Sequence, residues 1–400
     1  MTLDFKLEGF QSSMPEVWRG IFYTLQSYGF VPTLVGGSVR DYFLTGCFGN
    51  DWDVEVSHPK QSFDQEEWRD LGKNLSKFGK ISHLPFEVLR LSVQDMQFEF
   101  SPPRIEIFDD NWNLAGHSNF KAQMNFQIPF ELSVKRRDFS VNAIGIRFNS
   151  FKDLELLDPL KGLVHLDEKL LHFCGPDFNK DPVRFLRAIR FSLKLDSKFS
   201  PELERVLFEM PVSGLTSTYF WNELLKSHGP LMMLNKLFHW QRLKPDLKMP
   251  LLSEDFGPKE EQIKNVLIDP TKHEAWIIAL EWVGISCETW QNYFSLSSIS
   301  TSRLARWTQL SKKIHNISPR IFKINFSEVC GMQEFDILFD WFFSTKQLLQ
   351  KYPHLPFLKL IEDFLPDWVI LFQIELLKDV KHIDPPLRAK YQVWNLCQKF

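Results

Sequence analysis

Apolar residues recur along the chain in two rhythms, and the change from one to the other divides it. Val17, Ile21 and Leu25 fall at helical spacing, as do Trp68, Leu71, Leu75 and Phe78, so each set predicts an amphipathic helix. Between them Thr33-Leu34-Val35 reads as a short strand stopped by Gly36-Gly37, and Ser38 reads as the N-cap of a short helix to about Thr45. From Asp51 to Val56 the period is two: Trp52, Val54 and Val56 take one face, and Asp51, Asp53 and Glu55 the other. Phe86–Val93 and Met96–Ser101 predict a hairpin turning at Gln94-Asp95, with Met96, Phe98 and Phe100 opposite Gln97 and Glu99. Ala143–Phe148 predicts another strand. From about residue 160 the strand signals fade and helical spacing dominates, broken at Pro211, Pro230, Pro250, Pro270, Pro353 and Pro385-Pro386. The pattern predicts an α+β chain: a small mixed sheet with helices first, then an all-α remainder. Boundaries are expected near residues 150 and 245, giving segments 1–150, 151–245 and 246–400. The second boundary falls where Pro, Gly and charged residues cluster, Pro245–Glu261.

Composition narrows the class. With 44% hydrophobic and 24% charged residues, the 400-residue chain suits a soluble globular protein rather than a disordered one. Its 38 Phe and 13 Trp are more simply read as helical and sheet core than as base-stacking platforms. A net charge of -3 speaks against a nucleic-acid partner only if the charge is evenly spread. Counted by segment it is not: -7 over residues 1–110, +4 over 111–200, -4 over 201–300 and +4 over 301–400. An acidic block beside a basic one suits a site with a metal cation on one wall and an anion on the other, although offsets of this size also arise without function. The five cysteines, Cys47, Cys174, Cys287, Cys330 and Cys397, form no C-x-x-C pair, which argues against a zinc ribbon and for a reducing compartment. Met1–Phe10 has no secretory pattern, and the apolar runs fall far short of the ~18 residues of a membrane span. A cytoplasmic protein with no membrane partner is expected.

The chemistry concentrates in two places. Asp51 and Asp53, two apart on a strand, project from one face, and carboxylates that close repel unless a cation lies between them. Mg²⁺ is the natural candidate, because it accepts one or two carboxylates together with substrate phosphates. Gly36-Gly37-Ser38, fourteen residues upstream, is a tight strand-to-helix turn, and a helix N-terminus presents free N–H groups to an anion. Glu99 adds a third carboxylate on the polar face of another strand.

These residues resemble a known family. Gly36-Gly37-Ser38-Val39-Arg40-Asp41 followed by Asp51-Trp52-Asp53 is similar to the G-G-x-V-R-D…D-x-D signature of class II nucleotidyltransferases, the bacterial CCA-adding enzymes and their poly(A) polymerase relatives. Arg136-Arg137-Asp138-Phe139-Ser140-Val141-Asn142-Ala143 resembles the family's R-R-D-F-[ST]-[IV]-N-A. Asp158-Pro159-Leu160-Lys161-Gly162 resembles its hinge motif. Asp181 through Phe191 resembles its E-D-x-x-R template helix. The resemblance spans roughly residues 15–240. It implies a polymerase β-like nucleotidyltransferase head over 1–150, a helical neck carrying the template helix over 151–245, and a tRNA-binding body and tail over 246–400. It further implies that Asp51 and Asp53 are catalytic and, with Glu99 as a possible third ligand, bind Mg²⁺. Gly36, Gly37, Ser38, Arg40, Arg136, Arg137, Asp138, Asn142, Asp181, Arg184, Arg187 and Arg190 would bind the nucleotide, with Asp181 and Arg184 selecting CTP and ATP.

The template helix also has a physical reading. Phe185, Leu186, Ile189 and Leu193 fall within one arc and Arg184, Arg187, Arg190 and Lys194 on the other, which predicts one buried face and one basic face. Asp181 and Arg184 are expected as surface neighbours, either reading a base edge or forming an ordinary salt bridge. The family's Glu before the template Asp is Lys180 here. Ile105–Lys135 spans the loop that the resemblance associates with the change from CTP to ATP. In the last segment Arg303, Arg306, Lys312, Lys313, Arg320, Lys323, Lys378, Lys381, Arg388 and Lys390 are candidate phosphate contacts, although a solvated helix surface explains any one of them as well. The expected activity is template-independent addition of C and/or A to the tRNA 3′ end from CTP and ATP with release of pyrophosphate. The rivals are a poly(A) polymerase of the same family and a non-catalytic RNA-binding derivative.

Overall fold

The sheet is built on strands whose two faces differ in chemistry. The computed structural model describes residues 9–108, 120–247, 273–282, 298–315, 341 and 345. The chain divides into two compact units, one of residues 1–215 with 227–229 and 240–248, the other of 216–226, 230–239 and 249–400.

In the first unit, helix α1 (Glu16–Ser27) leads into β1 (Val31–Val35), then α2 (Gly37–Thr45), β2 (Asp51–Ser57) and α3 (Gln65–Leu75). Four strands follow: β3 (Lys80–Leu84), β4 (Val88–Val93), β5 (Met96–Ser101) and β6 (Arg104–Phe108), and then β7 (Phe120–Met124). After the short helix α4 (Phe130–Ser133) come β8 (Gly145–Phe148) and β9 (Leu154–Leu157). Seven strands form one mixed sheet in the order β3-β4-β5-β2-β1-β8-β9. Only β2 and β5 pair in parallel, with Asp53 opposite Glu99; the other neighbours are antiparallel.

One face of this sheet is apolar and covered. Trp52, Val54, Val56, Leu89, Leu91, Phe98 and Phe100 share a core with Trp18, Ile21, Phe22 and Leu25 of α1 and Trp68, Leu71 and Leu75 of α3. Trp18 and Trp52 stack on Phe98 with ring centroids 6.1 and 5.7 Å away, which places much of the aromatic excess in packing. The other face carries Asp51 and Asp53 at one end. Beside them Val35, Phe130, Val134, Ala143, Leu157 and Cys174 make a second, smaller core. Burial pushes the Cys174 thiol well above its ordinary value, which makes it an inert packing group.

Helix α5 (Gly162–Asp167), β10 (Leu170–Leu171), α6 (Val183–Lys194), β11 (Lys198–Phe199) and α7 (Pro201–Glu209) complete the first unit's named elements. β10 and β11 pair in parallel over two residues, so the segment expected as all-α contains one small strand pair, too short to show any periodicity. Of the Ile105–Lys135 stretch, expected as a loop, the described residues include the two strands β6 and β7, which form an antiparallel ladder from Arg104↔Met124 to Phe108↔Phe120.

The described elements of the second unit are helical. They include α8 (Ser217–Leu225), most of α9 (Pro230–Leu243), α10 (His273–Trp282) and α11 (Ser298–His315). There Trp307 Nε1 donates to Thr345 Oγ1 and Trp341 Nε1 to Ser311 Oγ, so these two buried indoles are hydrogen-bonded. Arg320, Lys323, Lys378, Lys381, Arg388 and Lys390 lie outside the described residues. No helix among the described residues is long and apolar enough to cross a membrane.

Candidate active site

The turn between β1 and α2 sets the geometry. Gly36 has φ 87° and ψ -146°, a backbone conformation open to glycine, and it takes the N-cap position of α2. A Cβ there would fall on Asp53 Oδ2 and within 3.3 Å of Arg137 Nη1. Helix α2 therefore begins at Gly37, and Ser38, expected as the cap, lies inside the first turn. Its hydroxyl is buried and has no hydrogen-bond partner.

Beside this turn is a cavity of about 280 Å³. It gathers Gly36, Gly37, Ser38 and Arg40 from the turn and α2, Asp51 and Asp53 from β2, and Arg137, Asp138 and Asn142 from the segment before β8. Arg187 comes from α6. Ten of the residues singled out in the sequence thus meet in one place. Asp51 is exposed, and the Asp53 side chain is 45% exposed, 3.5 Å from Arg137 Nη1. Glu99 stands apart: Arg90 holds it through Nε and Nη2 at 2.9 and 2.6 Å, and it does not line the cavity. Among the described residues no three His, Cys, Asp or Glu side chains converge as a metal cluster. Glu55, expected on the open polar face, is buried and accepts from Ser133 Oγ at 2.8 Å; burial raises its carboxyl above the ordinary range.

A hydrogen-bonded chain fixes the cavity wall. Arg40 is only 3% exposed; its Nε donates to Asp41 Oδ1 at 2.7 Å and its Nη1 to Asn142 Oδ1. Asn142 Nδ2 donates to Asp138 Oδ1 at 2.9 Å, the Phe139 N–H donates to the same oxygen at 2.8 Å, and Arg187 grips Asp138 Oδ2 through Nε and Nη2. Burial pushes Asp138 upward, but the Arg187 guanidinium and these donors outweigh it and hold the carboxyl well below the ordinary 3.8.

The template segment departs from its sequence reading. α6 has one apolar face, but its basic arc is only half open: Arg187 and Lys194 line the cavity, whereas Arg184 and Arg190 are buried, as is Asp181. Asp181 precedes the helix, and its Oδ1 accepts from the Val183 N–H at 3.0 Å. Arg184 donates to the carbonyls of Asp177 and Arg136 at 3.2 and 2.7 Å, and lies 3.7 Å from Asp181 and 3.9 Å from Glu106 of β6. Arg190 lies over the Phe191 ring at 4.4 Å. Arg136 is half-buried beside Arg104 and Arg137, and desolvation by its surroundings pushes it down to about 9. Neither Arg136, Asp181, Arg184 nor Arg190 lines the cavity. Lys180 pairs with Asp177 at 2.7 Å and sits over the Phe108 ring at 5.3 Å.

Five cavity residues escaped assignment from sequence: Asp41, Gly49, Asn50, Phe191 and Lys194. Asp41 and Phe191 close motifs already quoted, and Lys194 ends the basic arc of α6. Gly49-Asn50 carries a local signal only as the turn before β2.

Residues 33–172 match the poly A polymerase head domain family. The chain is 27% identical over 254 residues to the CCA-adding enzyme of Streptococcus thermophilus, a match taking in 60% of this chain and 54% of that protein. It is 29% identical over 190 residues to poly(A) polymerase I of Salmonella typhi, covering 46% and 38%. The chain thus spans about half the length, or less, of these curated relatives. The Thermotoga maritima CCA-adding enzyme complexed with tRNA has the same fold, with a TM-score of 0.60 at 18% identity over 97% of this chain and 92% of that one.

Proposed function

We propose, from a chain whose residues 33–172 carry a poly A polymerase head domain, that it is a template-independent nucleotidyltransferase that adds C and/or A to the 3′ end of tRNA from CTP and ATP. One observation carries the reading: two open carboxylates on one strand face, Asp51 and Asp53, share a cavity with the N–H-presenting turn Gly36–Ser38. A terminal hydroxyl attacks the α-phosphate and pyrophosphate leaves.

The residues fit a divalent cation. The donors are oxygen only, both carboxylates are open to the cavity, and the missing Cβ of Gly36 leaves room beside Asp53. Asp51 and Asp53 would hold Mg²⁺, which supplies charge for the phosphate oxygens and lowers the pKa of an attacking hydroxyl. The first turn of α2 holds the phosphates through backbone N–H groups. Asp138, fixed by Arg187 and Asn142, presents an acceptor that is ionised at neutral pH to the sugar. Asp181 and Arg184, buried behind the cavity wall rather than on it, would read the base edge only where a nucleotide uncovers them; the two carbonyls that fix the Arg184 fork support this in one respect, since a base reader needs one orientation. The described helices of the second unit, with residues 246–400, hold the tRNA, and the protein works in the cytoplasm.

The test is incubation with tRNA ending before CCA, tRNA ending in CC and a generic RNA, each with CTP and ATP separately. Extension of the tRNA ends with release of pyrophosphate is expected. Extension of generic RNA by ATP alone would assign the chain to poly(A) synthesis, the activity named for the second relative.

A further inference from the structure

We infer that Lys194 is a phosphate-binding residue that leaves Asp41 for the anionic tail of an incoming nucleoside triphosphate. The inference rests on the nucleotidyltransferase reading of the cavity.

Four cationic side chains line that cavity: Arg40, Arg137, Arg187 and Lys194. Two cannot turn to a ligand without stranding a buried group. Arg40, almost wholly buried, is tied to both Asp41 and Asn142. Arg187 is clamped on Asp138, and its departure would leave a buried carboxylate without its counter-ion. Arg137 already faces Asp53, the proposed metal ligand.

Lys194 differs in position and in cost. It is the last residue of α6, a quarter exposed, and its Nζ lies 3.1 Å from Asp41 Oδ2. Asp41 is doubly served: its other oxygen, Oδ1, accepts from Arg40 Nε at 2.7 Å and Nη2 at 2.6 Å. When the ammonium swings away Asp41 keeps its guanidinium partner, and no buried charge is left unpaired. The four-carbon stem of lysine, with its three rotatable donors, suits such an exchange.

The acceptor end of the cavity is prepared as well. The first turn of α2 offers its N–H groups, and the buried Ser38 hydroxyl on the same wall has no partner. A polyphosphate placed there would be held by α2 from one side and by Lys194 from the other. The bound tail would replace the single Asp41 contact with charge-assisted hydrogen bonds.

The experiment measures the affinity of the full chain for CTP, ATP and CMP, in Mg²⁺, together with thermal stability, for the wild type, Lys194→Met and Lys194→Arg. Loss of one hydrogen bond between charged groups predicts a CTP affinity weakened about 10- to 100-fold in Lys194→Met. CMP affinity stays within about twofold, and Lys194→Arg keeps most of the CTP affinity. A wild type that binds CTP alongside a Lys194→Met that binds it equally well overturns this inference alone. Equal losses for CTP and CMP with a lowered melting temperature also overturn it, because they mark Lys194 as a tie between α2 and α6. A wild type that binds neither CTP nor ATP overturns the nucleotidyltransferase reading itself.

Discussion

Gly36 shows how much of the site hangs on one backbone angle. Its φ of 87° turns the chain from β1 into α2, and its missing side chain makes room for Asp53 and Arg137. Gly36→Ala should cost about 1–3 kcal/mol of stability through local strain, read by urea unfolding, and should lower nucleotide incorporation more than that loss explains. Asp138 gives a pH signature. Its folded carboxyl is held below the ordinary 3.8, so the stabilisation it brings is complete above that value and is lost as pH falls through the folded value. Urea unfolding from about pH 5 down to about pH 2 should show a steep acid limb that Asp138→Asn flattens. An unchanged limb would mean that the Arg187 clamp is not formed in solution. At this scale the carboxylate pair was legible, because a period of two puts Asp51 and Asp53 on one face. The burial of Glu55, Arg184 and Arg190 was not. Periodicity separates polar from apolar arcs but says nothing of what packs over the polar one.

Elements repeat the lesson at larger size. The β4–β5 hairpin follows its alternation, and α3 follows its apolar spacing, with Asp64 capping the Glu66 and Glu67 N–H groups. Leu71→Ala on α3 should destabilise by about 2–5 kcal/mol, since it empties a fully buried position; calorimetry or urea unfolding checks it. Two-residue strands such as β10 and β11 lie below the length at which any period can be seen. The start of α2 was misplaced for a different reason: a serine is a good cap, but here glycine's positive φ took the cap and drew serine into the turn. On α6 the buried Arg184, held by two carbonyls, suggests a fixed reading head. Arg184→Ala should therefore flatten the preference among the four nucleoside triphosphates by about tenfold or more. Competition assays with all four would show it, and unchanged selectivity would reject the template role.

Taken over the whole chain, a net charge of -3 said little, because charge here is local. The acidic first block contains Asp51 and Asp53. The following basic block contains Arg136, Arg137, Arg184, Arg187 and Arg190, most of them buried or tied to carboxylates. Few of those cations are left for non-specific phosphate binding, so affinity for random RNA should be weak and should fall steeply as salt is raised through the range in which phosphate contacts are lost; a filter-binding salt series measures it. The mixed-sheet head, the described helices that follow it and the meeting of turn, strand and template segment were legible from periodicity and ordered motifs. What could not be read was which residues line the cavity and which brace it, because that depends on side-chain burial across elements far apart in sequence.

The proposed chemistry is placed on Asp51 and Asp53. The decisive measurement is incorporation of α-labelled CTP and ATP into tRNA ending before CCA by the wild type, Asp51→Ala and Asp53→Ala, with tRNA binding measured in parallel. Incorporation should be abolished in both variants while tRNA binding stays within about twofold of wild type, since neither side chain is buried or holds the fold. Undiminished incorporation by both variants would contradict the placement of the chemistry on β2.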